Sequence, residues 1–172
     1  MDILGTLLAS ARGGSLSRAA ETRGIDGDGV SSLLQQLVPA LTASIKRNAS
    51  SEDGLSDLTS ALRRGDHRRY LDNAGGLTTQ AAVEDGNGIL GHVLGSKDAS
   101  RNLAARAAER TGIDVGLVKK LLPLVAATTM GAMSKGMDAG ESGVGGMLGA
   151  LLDTDGDGNV VDDLLSFGKK FL

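Results

Sequence analysis

The sequence predicts an all-α protein: a compact multi-helix bundle with an internally duplicated helix pair, then a glycine-rich link and a C-terminal EF-hand-like acidic loop between short helices. Three observations carry this. Val30, Leu33, Leu34, Leu37, Val38, Leu41 and Ile45 recur at three- and four-residue steps, the apolar stripe of an amphipathic helix. Only Tyr70, Phe167 and Phe171 are aromatic among 172 residues, so the core must be built from Leu, Val, Ile, Ala and Met, which favours packed helices over aromatic-rich strands. Finally, Ala20 to Asp26 (AETRGID) returns as Ala108 to Asp114 (AERTGID), each copy ending one helix and starting the next.

In each copy the glycine, Gly24 or Gly112, suits the left-handed cap after a helix. The aspartate, Asp26 or Asp114, suits the N-cap of the helix that follows. The first long helix carries the stripe above; its counterpart, from Val115 to Met133, is apolar nearly all round and should be central and buried. Pro39 and Pro123 fall inside these helices and predict a kink or break near each, because proline removes a backbone hydrogen bond and crowds the preceding turn.

Between the two copies, helices are expected from Ser51 to Arg64, with Leu55, Leu58 and Leu62 inward, and from Asp66 to Asn73, with Tyr70 and Leu71. Gly75 and Gly76 break that pattern. Gly86 to Leu94 reads as a helix whose Gly88, Gly91 and Gly95 allow tight packing against another backbone. Asp85-Gly86-Asn87-Gly88, like Asp26-Gly27-Asp28-Gly29, reads as a turn and helix start. Ser96 caps a helix from Lys97 to Thr111. Composition then divides the chain into a helical domain over 1–135, a Gly/Ser-rich connector over 136–146 and a helix–acidic loop–helix over 147–172.

The run from Asp153 to Asp163 holds five carboxylates in eleven residues, a crowding that a cation or open solvent must relieve. In a helix–loop–helix calcium site, side-chain oxygens come from the first, third and fifth positions, with glycine sixth and a backbone carbonyl seventh. Asp153, Asp155, Asp157, Gly158 and Asn159 fit. The twelfth position should be a bidentate glutamate but is Leu164, so a loop tightened by one residue would use Asp163, in preference to Asp162, as its closing ligand. The candidate ligands for Ca²⁺, or another hard divalent cation, are therefore Asp153, Asp155, Asp157, Asn159 and Asp163. Leu148, Leu151 and Leu152 before the loop, and Leu164, Leu165, Phe167, Phe171 and Leu172 after it, suit short flanking helices. The competing reading is an acidic surface turn whose aspartates cap a helix starting near Val160.

Composition excludes several functions. There is no cysteine, hence no disulfide, thiolate metal site or cysteine nucleophile. The start of the chain reads as neither signal peptide nor membrane span. The net charge is −3; the acidic loop supplies five negative charges, which leaves the remainder near neutral and argues against nucleic acid as a partner. The one basic run, Arg63-Arg64-Gly65-Asp66-His67-Arg68-Arg69, reads as a solvated turn. The only histidines are His67, expected exposed in that turn, and His92, expected in a packing role among apolar neighbours. Neither forms a catalytic constellation, and the chain is read as non-enzymatic.

Lys46-Arg47-Asn48-Ala49, Arg64-Gly65-Asp66-His67 leading to Leu71-Asp72-Asn73, Gly88-Ile89-Leu90-Gly91-His92-Val93-Leu94-Gly95 and Lys120-Leu121-Leu122-Pro123-Leu124 follow Leu37-Val38-Pro39-Ala40-Leu41 in order. Together they resemble the YidB-like bacterial family over about residues 1–137. The resemblance implies a small, all-helical cytoplasmic protein with no established activity. The function expected is a helical scaffold or protein-interaction module that self-associates into a homo-oligomer, with a tail ordered by Ca²⁺. The alternative is a helix-turn-helix DNA binder, since the Ala104 to Asp114 run followed by a helix has that rhythm. Against it, the second helix offers Leu117, Val118, Leu121, Leu122, Leu124 and Val125, with only Lys119 and Lys120 outward.

Overall fold

The computed structural model describes residues 5, 7–9, 14–64, 67–72 and 75–138. After helical residues at 5 and 7–9, seven α-helices follow: α1 (Ser15–Glu21), α2 (Gly27–Ala49), α3 (Glu52–Arg64), α4 (Arg69–Asp72), α5 (Gln80–Leu94), α6 (Lys97–Thr111) and α7 (Val115–Asp138), with a 3₁₀ turn at Gly76–Thr78 before α5. No strand occurs among the described residues. Asp2–Ser134 form one unit, and the chain from Lys135 falls in a second.

Capping chemistry sets the helix limits. The Asp26 carboxylate accepts the Gly29 N–H at 2.8 Å and starts α2; Ser96 accepts from the Ala99 N–H at 3.1 Å and starts α6; Asp114 accepts from Gly116 and Leu117 at 2.8 and 3.1 Å at the start of α7. Each satisfies amide donors that a helix start leaves without partners. Gly24 and Gly112 have φ of 81° and 73°, a region most side chains avoid. Gly112 closes α6 with its N–H on the Ala108 carbonyl, and the Ile25 N–H returns to the Ala20 carbonyl after Gly24.

The core lies where the apolar stripe points. Every residue of the Val30-to-Ile45 stripe is buried, as are Leu58 and Leu62 of α3; the Leu55 side chain lies outside the described residues. Helix α7 is the most enclosed element, with every residue from Leu121 to Ser134 buried. Thr128 and Thr129 are tolerated there because their hydroxyls donate to the carbonyls of Leu124 and Val125, at 2.9 and 2.7 Å. By length and apolarity Val115–Lys135 would also suffice to cross a membrane, but most of that stretch is buried inside the protein, as a core helix requires.

Three expectations need correction. Of the kink or break expected at each proline, the break is absent: Gly27–Ala49 and Val115–Asp138 run through Pro39 and Pro123. The carbonyls that lose a partner belong to Gln35 and Lys119, both exposed residues, where water can take the vacant bond. Helix α5 starts at Gln80, not Gly86, because Thr79 accepts from the Ala82 N–H at 3.3 Å; Asp85 and Gly86 are therefore mid-helix and not a turn. Lastly, within the described fold the tight-packing glycine is Gly86. A Cβ there would overlap the Pro123 backbone carbonyl, whereas one at Gly88, Gly91 or Gly95 would meet nothing within 4 Å. Two further close approaches involve Gly54, against the Asn48 carbonyl, and Gly131, where a Cβ would stand 2.5 Å from the His67 carbonyl oxygen.

Candidate functional site

Asp153, Asp155, Asp157, Asn159 and Asp163 lie outside the described residues, as do the connector from residue 139 onward and both flanking helices of the acidic loop. Among the described residues, no group of three or more His, Asp or Glu side chains is placed to hold a metal ion. The described part of the chain instead draws its polar chemistry around one helix, α5.

Helix α5 is held by its inner face. Ala82, Gly86, Ile89, Leu90 and Val93 are buried, at the spacing of one helical stripe, and Gly86 lets the α5 backbone approach α7 at Pro123. A polar cluster joins the same helix to α4. The Tyr70 side chain is 1% exposed, and its hydroxyl donates to the Asp85 carboxylate. Arg69 donates to the same Asp85 oxygen at 2.9 Å and to the Tyr70 oxygen at 2.7 Å, with its guanidinium 4.8 Å from the centre of the Tyr70 ring. Burial, reinforced by the hydrogen bond to Asp85, pushes the Tyr70 phenol above its ordinary value, because an ionised phenolate would be desolvated beside a carboxylate. The Arg69 guanidinium, bonded to Tyr70 and facing Asp85, is held above its already high value. The cluster thus keeps a protonated phenol between a cation and an anion. The Tyr70 carbonyl in turn accepts from the buried Ser15 hydroxyl at 2.5 Å, which ties α1 to the same junction.

The outer face of α5 is different. Glu84, Asn87, Gly88, Gly91 and His92 are exposed. A cleft opens on each side of this face. The first, about 480 Å³, runs from Asn87 and Leu90 of α5 to Lys97 and Arg101 of α6 and Lys119 of α7. The second, about 580 Å³, runs from Ile89, His92 and Val93 to Asp53 and Asp57 of α3, over an apolar floor that includes Met130. Gly91 borders both.

The two histidines exchange their expected settings. His67 is 8% exposed, drawn inward because its carbonyl abuts Gly131 of the central helix and receives the Tyr70 N–H at 3.1 Å. His92 is exposed, and its carbonyl accepts from the Asn48 side-chain amide. On α7, Lys119 and Lys120 are exposed while Val118, Leu121 and Leu122 are buried.

The sequence reading missed the Tyr70–Arg69–Asp85 cluster, and no spacing rule could join Tyr70 to an acid fifteen residues later across a turn. For packing inside the described fold it also chose the wrong glycines on α5, although a signal was present. Gly86 shares the stripe of Ile89, Leu90 and Val93, whereas Gly88 and Gly91 fall on the opposite face.

No curated protein and no solved structure matches the chain. A family model described as bacterial protein of unknown function (DUF937) matches residues 5–136, the stretch over which the YidB-like resemblance runs, and the chain belongs to that family.

Proposed function

We propose that this protein is a non-enzymatic helical interaction module that self-associates, with the outer face of α5 as its contact surface. The observation that carries the reading is the pair Gly88 and Gly91, exposed within a helix and with open space where a side chain would stand. Each glycine costs about 1 kcal/mol relative to alanine in an exposed helix interior. No packing within the described fold offsets that cost, whereas a second backbone laid against a glycine face would. The apolar floor beside Gly91 supplies surface for such a contact.

Light scattering over a range of concentrations tests this. The intact chain should associate, and Gly91→Leu should be monomeric while keeping its helical circular dichroism. A wild-type chain that stays monomeric at high concentration removes the reading.

The acidic tail adds a calcium clamp to the proposal, supported by the ligand spacing of Asp153, Asp155, Asp157, Asn159 and Asp163. Titration calorimetry with Ca²⁺ should give a heat that Asp153→Ala/Asp155→Ala abolishes; silence at millimolar metal counts against it. The setting proposed is the bacterial cytoplasm, as the family resemblance implies. A DNA-binding reading draws on Lys119 and Lys120, exposed near the start of the helix after Gly112. Strong, salt-sensitive mobility shifts on mixed duplex DNA would favour it.

A further inference from the structure

The two clefts beside α5 carry opposite charge. Among the described residues, one is lined by Lys97, Arg101 and Lys119 and by no acid, the other by Asp53 and Asp57 and by no lysine or arginine. Arg101 is paired with Asp98 at 3.0 Å in an exposed contact. Lys97, Lys119, Asp53 and Asp57 form no ion pair among the described residues. Charges of one sign gathered in a concave site focus their field instead of cancelling it.

The position of the clefts on α5 matters as much as their sign. Successive residues turn by about 100° around a helix. Asn87 and Leu90, which line the cationic cleft, therefore sit on one flank of α5, and His92 and Ile89, which line the acidic groove, on the other. Gly88 and Gly95 lie between the flanks. Along the helix the two clefts are almost level, since both include Gly91.

We infer that two copies of this chain pair through α5 about a twofold axis running along the helices, so that each copy's cleft of Lys97, Arg101 and Lys119 faces the partner's Asp53 and the partner's Asp57. The inference rests on the self-association proposed above and specifies its geometry. Symmetry decides the direction. A twofold axis along α5 exchanges left and right flanks and sets unlike charges together at two equivalent contacts, whereas an axis across α5 would set like on like. The two helices then run parallel, with glycine against glycine at their closest approach. Glu84 shares this face one turn before Gly88, so the helices cross near Gly91 and splay toward their N-termini, keeping the two Glu84 carboxylates apart.

The test uses two variants of the full chain, Lys97→Glu/Lys119→Glu and Asp53→Lys/Asp57→Lys, in sedimentation experiments with circular dichroism as the check on folding. Each variant alone sets like charge against like at both contacts, so each should self-associate at least about tenfold more weakly than wild type. Mixed in equal amounts, they should form a heterodimer at about the wild-type concentration, because unlike charges then meet at both contacts. If either double variant loses its helical signal, the single exchanges Lys119→Glu and Asp57→Lys give the same comparison. Wild-type association that neither variant weakens, or variants that fail to pair on mixing, overturns the twofold arrangement while leaving association through Gly91 in place. A monomeric wild-type chain overturns both.

Discussion

Glycine does opposite work on the two faces of α5. On the inner face, Gly86 is buried because any side chain would collide with the Pro123 carbonyl of α7. On the outer face, Gly88 and Gly91 have open space beyond their Cα atoms. At the first position the small residue is a steric condition for the fold. At the other two it is a cost that the described fold does not recover. The contrast separates residues that hold this chain together from residues that point beyond it.

The comparison breaks most visibly at Gly86. A Cβ there overlaps backbone, which cannot swing aside as a flexible side chain can, so Gly86→Ala should destabilise the protein by about 3 kcal/mol, near the upper end for overpacked sites. Urea unfolding followed by circular dichroism would measure it, and a change under 1 kcal/mol would mean that α5 and α7 do not cross as closely as described. Gly131→Ala, whose Cβ would stand 2.5 Å from the His67 carbonyl oxygen, should cost about 2 kcal/mol by the same mechanism.

A smaller effect is expected where α4 meets α5. Tyr70→Phe removes the hydroxyl that donates to Asp85 and should destabilise by about 1–2 kcal/mol. The same residue gives a pH signature. The folded phenol titrates above its ordinary value of 10.0, so its contribution to stability is complete at lower pH. It declines as pH rises above about 10, where the unfolded chain starts to release the proton and the folded chain retains it. The alkaline slope of unfolding free energy against pH should be shallower in Tyr70→Phe; an unchanged slope would detach Tyr70 from it.

On the outer face the sign reverses. Gly88→Ala and Gly91→Ala should each stabilise the unassociated chain by up to about 1 kcal/mol, since the new methyl meets nothing and helix propensity improves. Thermal melts at low concentration, where association is minimal, would show the rise. A fall would mean that something packs on this face after all.

How far the sequence could be read follows the same division. The α2 stripe and the Asp26 and Ser96 caps were all legible, because each depends on spacing within a single helix. So did the glycines after α1 and α6, whose left-handed backbone is a local requirement. What could not be read depends on where helices cross. His67 sits in a run of arginines that looks solvated, yet the turn is drawn in against Gly131. Asp85 resembles a turn residue until Tyr70 is seen facing it. The continuity of α2 and α7 through proline depends on which residues lie a turn earlier and whether water reaches them, a tertiary fact that periodicity does not carry. For the acidic tail, the ligand spacing of Asp153 to Asp163 remains the whole of the argument.

Tyr70 has one practical consequence. It is the sole tyrosine in a chain without tryptophan, so nearly all intrinsic ultraviolet emission arises at the α4–α5 junction. A phenol bonded to a carboxylate emits weakly, and melting of that junction should make the protein brighten, giving it a native optical probe that needs no added label.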